Sequence, residues 1–83
     1  MNATCNQMTY RYIVETDTGR QWGYDSLRGA KIAAKAMLRY EESLGNDGIA
    51  EIFQHTYVDG KFRKQTKLIR IYSDGRKEIY NEQ

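Results

Sequence analysis

Two Asp-Gly pairs, Asp59-Gly60 and Asp74-Gly75, divide the second half of the chain into alternating segments, and this pattern constrains the fold more than any other feature. A type I′ turn needs positive φ at both central residues, so Asp-Gly between strand-like runs is the strongest short-range signal for a β-hairpin. Ile49–Val58, Lys61–Tyr72 and residues 76–80 are therefore expected to form three consecutive antiparallel strands. Period-2 alternation puts Ile69 and Ile71 on one face of the middle strand, with Leu68, Arg70 and Tyr72 on the other. In the strand before it, Ile52 and Val58 alternate with Phe53, His55 and Tyr57.

Residues 9–16 alternate in the same way, with Tyr10, Tyr12 and Val14 opposite Arg11, Ile13 and Glu15, and read as a first strand. Asp17-Thr18-Gly19-Arg20 has turn chemistry. Gln21–Tyr24 reads as an aromatic loop over one end of the core in preference to a short second strand. Asp25 or Ser26 then suits the N-cap of a helix reaching about Leu44, with Gly45 at the position after the C-cap. At 100° per residue Leu27, Ala30, Ala33, Ala34, Met37 and Leu44 share one arc, and Arg28, Lys31, Lys35 and Arg39 share another opposite it. The expected fold is α+β, β-α-β-β-β, with one helix on one face of a four- or five-stranded antiparallel sheet. A single domain over all 83 residues is expected, with residues 1–8 as a flexible tail.

Charge is distributed unevenly. Lys61, Arg63, Lys64, Lys67, Arg70, Arg76 and Lys77 are seven of the thirteen Lys plus Arg, and Asp74 is the one acid among them, although the whole chain carries only +2. The acids gather instead around Glu41, Glu42, Asp47 and Glu51. Such asymmetry points to an anionic or acidic partner. The candidate partner-binding residues are Arg63, Lys64, Lys67, Arg70 and Tyr72 on the hairpins and Arg28, Lys31 and Lys35 on the helix. For the helix stripe, an ordinary solvated face is the simpler reading. Seven tyrosines mixed with cations could stack single-stranded bases, but cross-strand aromatic pairing within the sheet explains them more economically.

Catalytic chemistry finds little support. A nucleophile needs a nearby base and an orienting acid, yet the single histidine, His55, lies in a strand and the single cysteine, Cys5, lies in the tail. Gly19, Gly23 and Gly29 match neither nucleotide-binding glycine spacing. Glu41 and Glu42 are neighbours at a helix end and face different ways, so they read as a solvated turn. No disulfide, metal site or cofactor is expected, and a reduced, cytoplasmic setting follows from one cysteine and no leader or membrane-length apolar run.

The order strand, Ala- and Lys-rich helix (Ser26-Leu27-Arg28-Gly29-Ala30-Lys31-Ile32-Ala33), hairpin and Ser73-Asp74-Gly75-Arg76-Lys77 turn resembles the small phage-encoded anti-CRISPR proteins that act on type I surveillance complexes. The resemblance implies a non-enzymatic inhibitor in the host cytoplasm. Its cationic surface would dock on the CRISPR-Cas subunits that hold the guide RNA and compete with target DNA. Direct binding of nucleic acid through the strand cations and tyrosines is the alternative, and a homodimer that closes its own sheet edge is a third.

Overall fold

The computed structural model describes residues 7–46 and 48–81. Five strands and one helix follow in the order β1 (Met8–Thr16), β2 (Gln21–Tyr24), α1 (Leu27–Ser43), β3 (Ile49–Val58), β4 (Lys61–Tyr72) and β5 (Lys77–Ile79). The sheet is antiparallel throughout and runs β2-β1-β3-β4-β5, with α1 on one face. Gln21–Tyr24 is thus a strand and not a loop: it pairs with β1 from Tyr12↔Tyr24 to Glu15↔Gln21. Four residues carry too little alternation to show a strand by themselves, and the pairing with β1 makes it one. Cys5 and most of the expected tail lie outside the described residues. Gln7, by contrast, is tied to the far hairpin, its N–H donating to Asp59 Oδ1 and its carbonyl accepting from the Asp59 N–H.

The three hairpins use two turn designs. Asp59 (φ 53°) and Gly60 (φ 81°) both lie in the left-handed region, as the two-residue type I′ turn between β3 and β4 requires. At the β4–β5 turn only Gly75 has positive φ, 94°. There the Gly75 N–H donates to the Tyr72 carbonyl and the Tyr72 N–H to the Arg76 carbonyl, so Ser73, Asp74 and Gly75 form a three-residue loop. The β1–β2 turn repeats this pattern with Asp17, Thr18 and Gly19. A β-branched side chain resists this conformation, so Gly75→Val is expected to cost about 1 kcal/mol or more. Thermal unfolding would read that as a fall of roughly 4 to 8 °C; an unchanged midpoint would contradict the assignment.

Local chemistry sets both ends of α1. Ser26 is the N-cap, its Oγ accepting the Gly29 N–H at 3.0 Å. At the other end Asn46 N–H donates to the Glu41 carbonyl and Gly45 N–H to the Glu42 carbonyl around Gly45 at φ 83°, the paired bonds of a Schellman motif. The helix turns Ala30, Ala34 and Leu38 toward Val14, Ala50, Ile52, Ile69 and Ile71. Small alanines let the helix axis approach the sheet closely, and Gly48 lies so near Leu38 that an added Cβ would meet Leu38 Cδ2 at 3.0 Å. Two expectations for this face are corrected. Leu38 takes the central position, Met37 being only half-buried at its flank, and Leu44 is the exposed C-cap.

A bulge also corrects β4. Ile52 pairs with Ile69, but the next residue, Phe53, pairs with Lys67, so Leu68 has no partner opposite it. The extra residue breaks the period-2 alternation. Leu68 is fully buried in the core cluster instead of sharing a face with Arg70.

Candidate functional site

β3 and β4 continue past both flanking strands. β2 pairs only with Tyr12 to Glu15 of β1, and β5 only with Ile69 to Ile71 of β4. The far half of the sheet is therefore three strands, β1, β3 and β4, ending in the Asp59-Gly60 turn. The molecule is correspondingly long, 57 × 20 × 17 Å.

The predicted binding residues separate onto three surfaces. Lys67, Arg70 and Tyr72 stand on the sheet face away from the helix, opposite Phe53, Glu51 and Ile49. Arg63 and Lys64 are near the hairpin tip, Lys64 opposite Thr56 and Arg63 in a second bulge with no residue opposite it. Arg28, Lys31 and Lys35 are exposed on α1.

Cations on the open face are already engaged. Glu51 Oε2 accepts from Lys67 Nζ at 3.0 Å and from Arg70 at 2.9 Å. Partial burial alone would raise the Glu51 pKa, but the hydrogen bonds and positive charges of Lys67 and Arg70 outweigh it and hold the carboxyl below its ordinary 4.5. Lys67 also lies over the Tyr80 ring, 5.1 Å from its centroid. Arg76 is paired with Asp74 at 2.8 Å and Arg11 with Asp25 at 2.8 Å. The backbone N–H and then the guanidinium of Arg76 hold Asp74 below its usual range. Tyr72 and Tyr80 both donate to Glu78 Oε1, which lowers the Glu78 pKa and raises that of Tyr80. His55 and Tyr57 meet Phe62 edge-on at 5.2 and 5.9 Å between ring centroids. Most aromatic groups of this face thus serve cross-strand pairing.

Glu51 makes a pH-dependent contribution that can be measured. Its folded pKa is depressed, so its ion pairs stabilise the fold fully above the unfolded value near 4.5 and lose this effect as pH falls through the lower folded value. In urea titrations at successive pH values, the stability gap between wild type and Glu51→Gln should be widest at neutral pH and shrink below about pH 4. A gap independent of pH would exclude the ionised contact as its source. Taking the difference between the two proteins cancels the similar contributions of Asp74 and Glu78.

At the hairpin tip the situation is reversed. Lys61, Arg63 and Lys64 are exposed and form no ion pair among the described residues, and Phe62 between them is 52% exposed. Val58↔Lys61 and Thr56↔Lys64 put the two lysines on the helix-side face of the sheet, Phe62 is on the open face, and Arg63 protrudes at the bulge. The tip therefore presents lysines on the helix-side face and an exposed ring on the other, with Arg63 at the bulge between them. Neither the bulge nor the absence of acidic partners is visible in the strand alternation alone, although the Lys-Phe-Arg-Lys run directly after the turn marks the place.

The acidic residues behave differently from a solvated turn. Glu41 is buried, 6% exposed, and accepts from the Asn46 side chain at 3.2 Å, whereas Glu42 is exposed. Among the described residues no three His, Cys, Asp or Glu side chains converge on a metal-sized site, and no helix is long and apolar enough to cross a membrane. No protein-family model, curated protein or solved structure matches the chain.

Proposed function

We propose that this chain is a non-enzymatic binding protein whose β3–β4 hairpin tip engages the phosphate backbone of a nucleic acid. One observation carries this reading: Lys61, Arg63 and Lys64, which flank the exposed Phe62 along the tip of β4, form no ion pair among the described residues, while Lys67, Arg70, Arg76 and Arg11 are neutralised within the chain. Exposed cations at a hairpin tip gain by displacing counterions from phosphates, and an exposed aromatic ring offers a stacking surface for a base.

The likeness to anti-CRISPR proteins suggests where such a nucleic acid would be met: the guide RNA or incoming target DNA of a type I surveillance complex. A positive tip suits contact with that nucleic acid better than imitation of it, since an imitator of DNA would need the opposite charge. Binding is tested by fluorescence anisotropy on a labelled duplex and a labelled single strand. Three phosphate contacts predict a slope of about −2.7 for log K against log salt on duplex DNA between about 50 and 200 mM salt. Failure to bind either probe at the lower salt, or binding that salt leaves unchanged, would overturn the proposal. The inhibitory role is tested by adding the protein to an assembled type I complex and measuring capture of target DNA; undiminished capture would refute it.

A further inference from the structure

A second set of unpaired cations lies far from the hairpin tip, and its surroundings are different. Five strands spaced about 4.8 Å apart make a sheet roughly 19 Å wide, whereas one helix with its side chains covers about 10 to 12 Å. Ala30, Ala34 and Leu38 place α1 mainly over β1 and β3, so the helix-side face of β4 and β5 is left beside it. A groove of about 260 Å³ runs there, with Leu38, Ile69 and Ile71 as its floor. Ile79, opposite Ile69 on β5 and 54% exposed, extends the same apolar face outward.

Lys31, Lys35 and Arg39 line the helix wall of this groove and Lys77 lines the strand side. None of the four is in an ion pair among the described residues. Glu42 is the one acid in the lining. The three wall cations recur every four residues, about 6 Å apart along the helix axis, and like charges so spaced oppose one another until an acid is brought to them.

We propose that this groove receives an acidic amphipathic helix from a partner protein, seated beside α1 on β4 and β5. Its apolar stripe rests on Ile69, Ile71 and Ile79, and carboxylates at every fourth residue face Lys31, Lys35 and Arg39, with Lys77 on the opposite side. The repeat identifies a helix as the occupant, because acidic residues at i, i+4 and i+8 recur with the same rise as the wall cations. A nucleic acid fits less well, because phosphates gain nothing from an isoleucine floor, whereas the apolar stripe of a helix does. This site is separate from the hairpin tip, and neither proposal depends on the other.

The test uses a synthetic helix with leucine along one stripe and glutamate at every fourth residue on its flank, titrated into the ¹⁵N-labelled protein. Amide shifts are expected in residues 31–42 and 69–79. Replacing the peptide's glutamates by glutamine, or making Lys35→Glu together with Lys77→Glu, should weaken binding about tenfold or more. Both side chains are exposed, so the double variant should keep the wild-type amide spectrum elsewhere. Parallel titrations use a DNA duplex and phosphatidylglycerol vesicles. Peptide shifts confined to other residues, equal affinity for the double variant, or perturbation of the groove by duplex or vesicles but not by the peptide would each overturn the proposal.

Discussion

Ala34→Asp is expected to abolish cooperative folding at room temperature. Ala34 is fully buried where α1 meets the sheet, among Val14, Ala50 and Ile52, and no Lys, Arg or His is among the buried residues described that could pair an incoming carboxylate. An uncompensated buried charge costs about 3 to 5 kcal/mol, and the extra volume between helix and sheet adds overpacking to it. At roughly 0.05 to 0.15 kcal/mol per residue, a chain of this length has only about 4 to 12 kcal/mol of total stability. Circular dichroism during heating should show no sharp transition for this variant. Ala36→Asp, on an exposed part of the same helix, should melt close to wild type. Similar melting curves for both variants would show that a different helix face is turned inward.

Reversing Lys61, Arg63 and Lys64 to Glu is expected to eliminate nucleic-acid binding while leaving the fold intact. All three side chains are exposed and lie outside the hydrophobic core. A charge-assisted contact is worth about 1.5 to 3 kcal/mol when it is made, so losing three weakens binding by about a thousandfold or more. Lys67→Glu should behave in the opposite way. It removes one of the two cations held by Glu51 and puts a carboxylate beside it, which destabilises the sheet before it affects any ligand. Paired measurements of affinity and unfolding distinguish the two classes. Wild-type affinity in the triple variant would rule out the tip, and unchanged stability in Lys67→Glu would show that the Glu51 cluster contributes nothing to the fold.

Legibility in the sequence tracked the distance over which each feature is set. Asp59-Gly60, Ser26 and Gly45 occupy the turn, N-cap and C-terminal positions that their chemistry predicts, because each acts on backbone groups only a few residues away. Asp74-Gly75 marks a hairpin correctly but forms a three-residue loop, since the register of the flanking strands, and not the dipeptide, fixes which loop length closes the ladder. Of the candidate binding residues, Arg63 and Lys64 occupy the exposed tip, and Lys61 joins them. Lys67 and Arg70 were indistinguishable from these by composition.

The amino-acid sequence by itself determined the helix and its caps, the positions of the two Asp-Gly hairpins, the bounds of β3 and β4, and the α+β class. These follow from backbone preference, capping and side-chain periodicity, all of which operate along one segment. Only the tertiary structure decided that Gln21–Tyr24 joins the sheet, that a bulge turns Leu68 into the core, and that Glu51 captures Arg70 from 19 positions away. It also decided which cations are held in ion pairs among the described residues. Such features depend on cross-strand register and on how much of a five-stranded sheet one helix can cover, and both are settled when separate segments pack together.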